Sequence, residues 1–584
     1  MRSFFKIFFA TFLAFVVFAI IAILVVVGIV ASATSGDKTT VGGKAVLIVD
    51  LTKQYKEQKD DDALNLIRGN ADENVPGLYD VVRMIAHAKS DSSVKGIYIK
   101  CDDNANGYAA SEELRSALMD FKKSNKFIIA FGDVISQKAY FVASIADKLY
   151  CNPKGTVDWN GLESTLYFLK GALDRLEIEP QIFYAGKFKS ATEPLRAYQM
   201  TEPNKLQTSV YLNDLYSHIL LAGMEKSKLD TGRLHQLANT GAIQTASQAN
   251  QYHLIDGLRY DDEVKAEIIG NIHIDPTEKI NFVSLGKYSK AVDVTPNDGG
   301  RIAMIYAEGE IIDGKGKDGQ IGSDTYRNLI RKARLDKNIK AIVMRVNSPG
   351  GSALASEEIW REIILAKKAK PVVVSFGDYA ASGGYYISCG ADSIFAEPTT
   401  ITGSIGVFGI IPNLQNFMNH KLGITFDGVK TGPFADMPSA VRPLNAAEKQ
   451  FIQSSIDTVY SSFKGRVAEG RKLPVAVVDS IAQGRVWTGE RAVTLGLVDK
   501  MGNMDDAIRC AARMAKLSAY SLKEYPEKKG FLDKIFNKYA DQVKVKAMKE
   551  EMGDEQYNIL QQLKNVRNMV AIPQARLPFE MNIR

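Results

Sequence analysis

Two glycine-rich motifs in the second half of the chain carry the residue types that acyl transfer requires. Residues 380–384 read Ala-Ala-Ser-Gly-Gly after a run of valines, which predicts that Ser382 lies where a strand turns into a helix. Such a turn exposes the hydroxyl and places the backbone N–H of Gly383 at a helix N-terminus, where it can stabilise an oxyanion. Residues 347–351 read Asn-Ser-Pro-Gly-Gly, and Gly351 allows the close backbone approach that a second oxyanion donor needs. Either motif alone is typical of a simple connection, but the two together favour a catalytic site.

A nucleophilic serine needs a base. The second half of the chain has a single histidine, His420, with no acidic residue evident to orient it, so a Ser-His-Asp triad is poorly supported. The alternative is a lysine that burial keeps neutral, because desolvation disfavours the ammonium form. Lys189, in an apolar-flanked stretch of the first half, is the candidate, and Lys187 is an open alternative. An isolated lysine is more often a solvated surface residue.

These candidates lie in a chain that contains one fold twice. The Phe-Gly-Asp sequence at 131–133 recurs at 376–378, a shift of 245 positions. The same shift aligns Tyr140 with Tyr385, Pro153 with Pro398 and Gly161 with Gly406. In each copy, short β-branched runs alternate with helix-like stretches, which predicts an α/β fold with parallel strands and crossover helices.

The two copies differ at the residues that carry chemistry. Gln137 stands opposite Ser382, and the first copy has no double glycine at 102–106. Conversely, the second copy has no lysine at the place that corresponds to Lys189, near Pro433. Each copy therefore lacks what the other supplies. The hypothesis requires the two copies to meet at one site, either against each other or against a neighbouring protomer.

The repeat sets the predicted domain limits. Residues 1–43 form a cytoplasmic stub, an anchor and a short linker; 44–285 form the first repeat; 286–300, rich in turn residues, form a linker; and 301–525 form the second repeat. Residues 526–584 are charged and helix-like with no counterpart in the first copy, which favours a C-terminal helical arm for packing or assembly.

Composition narrows the class of protein. A chain of 584 residues with 46% hydrophobic and 24% charged residues is typical of a multidomain globular protein, and a net charge of +6 gives no reason to expect a nucleic-acid partner. The four cysteines are widely spaced and have no histidines at metal-ligand spacing, so neither a metal site nor a disulfide framework is indicated.

The N-terminus predicts a membrane anchor. From Ile7 to Ala31 the chain is uncharged and strongly apolar, long enough as a helix to cross a hydrocarbon core of roughly 30 Å. Arg2 and Lys6 precede this run, which by the positive-inside rule puts everything after Ser32 outside the cytoplasm. The alternative is a cleaved signal peptide, with a processing site at residues 31–33, although the apolar run exceeds the h-region of about 7 to 15 residues.

The motifs at 189–194, 377–385 and 402–406 together resemble the long, duplicated form of signal peptide peptidase A, a bacterial family also called protease IV. The resemblance extends from the membrane segment to about Asp499. It implies a tandem Clp/crotonase-like α/β fold and a serine endopeptidase without metal or other cofactor. The implied substrates are signal peptides left in the membrane, and the implied assembly is a homotetramer in the cytoplasmic (inner) membrane, single-pass, with its catalytic domains on the periplasmic side.

The same resemblance assigns the site residues. Ser382 is the implied nucleophile, Lys189 the general base, Gly351 and Gly383 the oxyanion donors, and Ser404 the hydroxyl that orients the lysine amine. The first copy departs from an active repeat at Gln137, Asn106 and Trp159, the last opposite Ser404, which argues against a second active site.

Two other functions compete with this interpretation. A crotonase-like enzyme acting on a coenzyme A thioester would also use backbone oxyanion donors, but export argues against a cytoplasmic cofactor. An inactive membrane scaffold is the second alternative, and the retained serine, double glycine and lysine argue against it.

Overall fold

The computed structural model describes residues 6–18, 20–21, 40–59, 74–527, 553 and 573–577. Residues 6–18 and 20–21 are helical, and the rest of the predicted anchor lies outside the described residues. Within these ranges, no helix combines the length and the apolar character that crossing a membrane demands.

The first repeat alternates strands with helices. Its strands are β1 (Ala45–Asp50), β2 (Val94–Lys100), β3 (Phe127–Ile135), β4 (Lys148–Val157), β5 (Glu179–Ala185), β6 (Gly257–Leu258) and β7 (Phe282–Ser284). Its helices are α1 (Leu78–Ala88), α2 (Tyr108–Lys122), α3 (Gln137–Ala143), α4 (Lys170–Arg175), α5 (Glu193–Arg196), α6 (Glu202–Ser227), α7 (Thr231–Asn239), α8 (Ala246–Gln251), α9 (Asp261–Ile272) and α10 (Leu285–Ala291). A short 3-10 helix, Ser190–Thr192, precedes α5.

The second repeat follows the same rhythm. Its strands are β8 (Gly300–Glu308), β9 (Glu310–Ile312), β10 (Gln320–Gly322), β11 (Ile339–Ser348), β12 (Gly350–Ser352), β13 (Val372–Ala381), β14 (Ser393–Ala396), β15 (Ile401–Gly403), β16 (Val407–Asn413), β17 (Val486–Thr488), β18 (Lys500–Met501) and β19 (Tyr520–Tyr525). Its helices are α11 (Ser323–Leu335), α12 (Ala353–Lys367), α13 (Gly383–Ser388), α14 (Ala446–Arg471), α15 (Val475–Ile481), α16 (Gly489–Thr494) and α17 (Met504–Met514), and Phe417–Lys421 form a π-helix. A last strand, β20 (Gln574–Arg576), lies near the C-terminus.

Each repeat builds its own parallel sheet. The first has the order β6-β4-β3-β2-β1-β7, and the main path of the second is β17-β15-β13-β11-β8-β19, in which only β17 runs antiparallel to its neighbour. Strands such as β11 and β13 are continuous apolar runs because helices cover both faces of a parallel sheet. The α/β architecture predicted from the sequence is confirmed.

A third sheet joins the repeats. Its order is β10-β9-β12-β20-β16-β5, and β5 of the first repeat pairs antiparallel with β16 of the second along its whole length, from Glu179↔Asn413 to Ala185↔Val407. Lys189 follows the end of β5 by four residues, and Ser404 precedes the start of β16 by three. The ladder therefore brings the loop that carries Lys189 against the second repeat.

A buried ion cluster also holds the repeats together. Arg345, on β11, donates to Glu57 Oε2 at 2.8 Å and to Glu113 of α2, and both carboxylates come from the first repeat. The same guanidinium donates to Ser375 Oγ at 2.9 Å and to the carbonyl of Phe376 at 2.8 Å, so its donors are well satisfied. Burial raises the pKa of Glu113, and the facing guanidinium opposes that rise.

The expected helical arm at 526–584 differs from the structure where it is described. Gln574–Arg576 form a strand, because two partner strands offer it backbone hydrogen bonds. Local composition cannot reveal such partners, since they lie more than 150 residues away in sequence.

We predict that Arg345→Met lowers the free energy of unfolding by about 3–5 kcal/mol, because it leaves two buried carboxylates unpaired. The matched control is Arg509→Met, since Arg509 makes exposed ion pairs with Asp505 and Asp506. Its loss should cost no more than about 1 kcal/mol. Denaturant unfolding of both variants in parallel measures the difference, and equal effects would contradict the structural role of the cluster.

Candidate active site

Ser382 lies at a strained turn between β13 and α13. Its backbone has φ 54° and ψ −111°, a conformation that non-glycine residues rarely adopt. The turn is held from both sides: the Ser382 N–H donates to Gly403 O at 2.8 Å, and the N–H of Tyr386 donates to Ser382 O at 2.8 Å. Strand-to-helix turns of this kind present a nucleophile in other hydrolases.

The amine of Lys189 meets the hydroxyl of Ser382. Lys189 Nζ lies 2.8 Å from Ser382 Oγ, within hydrogen-bond reach, although the two residues are 193 positions apart. Lys189 Nζ also lies 3.1 Å from Ser404 Oγ and 3.1 Å from the carbonyl oxygen of Ser404. The structure thus brings together three of the residues predicted from the sequence, and it does so within one chain.

Burial changes the chemistry of the Lys189 amine. The residue is only 1% exposed, and this desolvation lowers the pKa of Lys189 well below its ordinary value of 10.5. Its described hydrogen-bond partners are two serine hydroxyls and a carbonyl, none of them a carboxylate that would stabilise the ammonium form. Burial therefore favours the neutral amine, which is the form that a general base requires.

The loop that carries Lys189, here called the lysine loop, contacts a turn of the second repeat through its main chain. Phe188 N–H donates to Gln483 O at 2.7 Å. Gly484, with φ 73°, lies so close that a Cβ there would come within 2.7 Å of the backbone nitrogen of Lys189. Only glycine permits this approach, so Gly484 helps to fix the position of the amine.

Gln207, on α6, is a site residue that the sequence analysis missed. Its Nε2 donates to Phe188 O at 3.1 Å and to Ser190 Oγ at 3.0 Å, one residue to either side of Lys189. Its Oε1 accepts from the N–H of Val486 in the second repeat at 3.2 Å. The residue clamps the lysine loop between the repeats, and no motif in the sequence marks it.

The predicted oxyanion glycines border the same cleft. Gly383 is the first residue of α13, and Gly351 lies on β12 beside Ile311 of β9. Their neighbour Gly350 has φ 101°, and a Cβ on it would come within 2.7 Å of Gly383 N. Both members of the double glycine are therefore needed: a Cβ on Gly351 would approach Ile311 O to 1.9 Å.

In the first repeat, the residues that correspond to the site residues of the second make structural hydrogen bonds. Gln137, opposite Ser382, accepts from the N–H groups of Asn160 at 3.0 Å and Gly161 at 3.2 Å. Trp159, opposite Ser404, is fully buried and donates to Leu234 O at 3.0 Å. Asn106, the third departure, donates to Asn104 and Lys53 O. Gln137 and Trp159 thus stand where the second repeat has the hydroxyls of Ser382 and Ser404, and Asn106 stands where it has Gly351.

The two alternative bases lie elsewhere. Lys187 is exposed, with its amine 5.9 Å from the centroid of the Phe188 ring. His420 is also exposed, and its Nδ1 lies 2.6 Å from Glu177 Oε2. Neither residue has a described contact with Ser382.

Comparison with known proteins identifies relatives over most of the chain. The model of the family described as Peptidase family S49 matches residues 120–271 and 364–518, one segment in each repeat. "Protease 4" of Salmonella typhi is 37% identical over 80% of this chain and 76% of the relative, and "Protease 4" of Haemophilus influenzae is 34% identical over 83% and 82%. The chloroplastic serine protease SPPA of Arabidopsis thaliana is 34% identical over 74% of this chain and 64% of the relative.

Among solved structures, a mutant of ClpP1 from Listeria monocytogenes aligns with 35% of this chain and 94% of its own, at 14% identity and a TM-score of 0.24. The family model and the two bacterial relatives span both repeats, including the segments that carry Lys189 and Ser382. The chain therefore belongs to peptidase family S49 and is a serine protease.

Proposed function

We propose that this chain is a membrane-anchored endopeptidase that degrades cleaved signal peptides through a Ser/Lys dyad. The observation that carries the proposal is the 2.8 Å contact between Lys189 Nζ and Ser382 Oγ in a buried site. A serine protease needs an activated hydroxyl, and this lysine is the base in contact with it.

In the proposed reaction, neutral Lys189 takes the proton from Ser382 Oγ as that oxygen attacks the peptide carbonyl. The resulting ammonium then gives the proton to the leaving amine, and an acyl-enzyme ester remains on Ser382. A water molecule, deprotonated by the same lysine, attacks the ester. The ammonium then returns the proton to Ser382 Oγ as the bond between Oγ and the acyl carbon breaks, and the second product leaves as a carboxylic acid. The proposed reaction uses no metal or other cofactor.

Backbone donors stabilise the tetrahedral intermediates in this proposal. The N–H groups of Gly383 and Gly351 are the donors for the oxyanion, since both lie at the cleft and Gly383 begins a helix. Ser404 orients the base, because its hydroxyl and carbonyl both lie 3.1 Å from the amine. The two contacts with Ser404 fix the direction in which the Lys189 amine faces Ser382 Oγ.

An apolar cavity beside β16 supports apolar peptides as substrates. Beyond Pro573, a cavity of about 160 Å³ is lined by apolar side chains that include Ile410, Met437, Phe451 and Ile456. Signal peptides are rich in apolar residues, so their side chains match this lining. The resemblance to signal peptide peptidase A favours the same class of substrate.

The proposed setting is the cytoplasmic membrane. The apolar run from Ile7 to Ala31 would anchor the enzyme on the surface where such peptides remain, with both repeats on the periplasmic side. A homotetramer is proposed on the family resemblance alone.

We predict that Ser382→Ala abolishes peptide hydrolysis, because the variant lacks the nucleophile but keeps the turn. A serine-directed acylating probe should label the wild type once and leave the variant unlabelled, which intact-mass spectrometry measures. Hydrolysis at the wild-type rate by a correctly folded Ser382→Ala protein would rule out this nucleophile.

Lys189→Arg should be as inactive as Lys189→Met, since a guanidinium stays protonated and cannot act as a base. Wild-type kcat/KM for a fluorogenic apolar peptide should rise with pH through the pKa of Lys189, which desolvation sets well below 10.5, because the neutral amine is the active form. Lys187→Ala, the matched control, should keep the rate and the pH profile. Activity that survives in Lys189→Arg but disappears in Lys187→Ala would move the base to Lys187.

The proposed topology predicts that protease added to intact spheroplasts cleaves the region after Ser32. The positive charges of Arg2 and Lys6 should keep the N-terminus inside. Immunoblotting with tags at the two ends measures which parts are reached. Protection of the whole chain would contradict a periplasmic location.

A further inference from the structure

The C-terminal strand β20 lies inside the candidate active site. Residues 574–576 run antiparallel to β12, with Ala575 opposite Gly351, and Gln574 also pairs antiparallel with Phe408 of β16. β12 carries Gly351, one of the two proposed oxyanion donors, and β16 begins three residues after Ser404. The segment therefore fills the space between the walls of the catalytic cleft.

The backbone of this segment is bound as an added strand. Beyond the ladder, the N–H of Ala353 donates to Pro573 O at 3.1 Å, and the N–H of Leu577 donates to Pro349 O at 2.8 Å. Proteins that recognise extended peptides often use such strand addition, in which the main chain gives affinity and side-chain pockets give specificity.

The carbonyl oxygen of Ala575 lies close to Gly350 and Gly383. A Cβ on Gly350 would lie 2.1 Å from Ala575 O and 2.7 Å from Gly383 N, and a Cβ on Gly383 would lie 3.0 Å from the same carbonyl oxygen. One peptide carbonyl thus lies in the corner where a substrate carbonyl would be polarised. The segment is bound in an extended conformation between β12 and β16, as an added peptide strand would be.

Two side chains of the segment occupy closed sites. Ala575 is 0% exposed, so its position leaves little room beyond a methyl group. Leu577 is 3% exposed and packs with Tyr211 and Leu215 of the first repeat and with Ala381 and Val486 of the second. Between them, Arg576 forms an ion pair with Glu310 at 2.5 Å, which ties the segment to β9.

We infer that Pro573–Leu577 is an internal ligand of the peptide cleft, which competes with extended peptides for the same backbone groups. The cleft selects a small side chain at the position of Ala575 and an apolar one at the position of Leu577. The inference deepens the proposed peptidase function and rests on the cleft assigned there. A cleft that is open for only part of the time binds a peptide more weakly by that fraction.

The test measures binding of a fluorescein-labelled Pro-Gln-Ala-Arg-Leu peptide by anisotropy. The full chain carries Ser382→Ala throughout, so that the probe is not consumed. Adding Ala575→Trp should displace the segment, because the closed site cannot hold an indole. Peptide affinity should rise by about tenfold or more if the open fraction in the parent is about one tenth.

A second variant guards against misfolding of the first. Arg576→Glu places a carboxylate against Glu310 and should raise peptide affinity in the same direction. Ala266→Trp is the control for size, because Ala266 is exposed on α9 in the first repeat, outside the third sheet. Its peptide affinity should equal that of the parent.

The probe also tests selectivity. The peptide Pro-Gln-Trp-Arg-Leu should bind none of the variants. Equal affinity of the alanine peptide for the parent and for both displaced variants would overturn the inference, as would equal binding of the two peptides. If a chain with Ser382 restored neither hydrolyses peptides nor reacts with an acylating probe, the proposed function fails, while the anisotropy result still decides whether the segment occupies the cleft.

Discussion

Removing the Lys189 amine from water is the constraint on which the rest of this site depends. An ammonium group in a dry site is costly, so burial lowers the pKa of Lys189 and favours the neutral amine. No single repeat encloses it: the loop comes from the first copy, while Ser382, Ser404 and Gly484 come from the second. Exclusion of water therefore requires the two copies to be closed against each other, which couples activity to the interface between repeats.

Several features of the fold serve this closure. The antiparallel ladder between β5 and β16 sets the distance of the lysine loop from the second repeat, and Gln207 fixes the loop on either side of Lys189. The buried ion cluster around Arg345 holds β11, the strand that leads into the double glycine, against the first repeat. The two copies contribute different residues: the first has Gln137 where the second has Ser382, yet it supplies Lys189 to the site.

Much of the site is readable in the sequence because it lies in local motifs or in differences between the two copies. Ser382 and Gly383 follow from a strand-to-helix motif, and Lys189 follows from comparison of the copies together with the lack of an oriented histidine. The alternation of strand and helix predicts the α/β architecture, and the peptidase family agrees with the resemblance found in the motifs. The anchor, the domain limits and the tetramer stay predictions.

The remaining features depend on contacts between distant parts of the chain. Gln207 sits on a long helix with no distinguishing pattern, and its role comes from a loop and a strand on either side of it. Strand β20 lies in a C-terminal region that the sequence predicts to be helical, but it pairs with β12 and β16 and is extended. The Arg345 cluster joins residues more than 230 positions apart. Such contacts produce no periodic pattern or residue spacing that could be detected in the sequence.

A titration of the Lys189 amine itself tests most directly whether burial keeps this lysine neutral. Selective ¹⁵N labelling of lysine side chains, with Lys189→Met to assign the signal, reports the protonation of each amine by NMR as the pH is raised. If burial keeps this amine neutral, one lysine has a pKa well below 10.5 in the folded protein, and its signal disappears in Lys189→Met. A Lys189 amine that stays protonated up to the pH at which the exposed lysines titrate would contradict it.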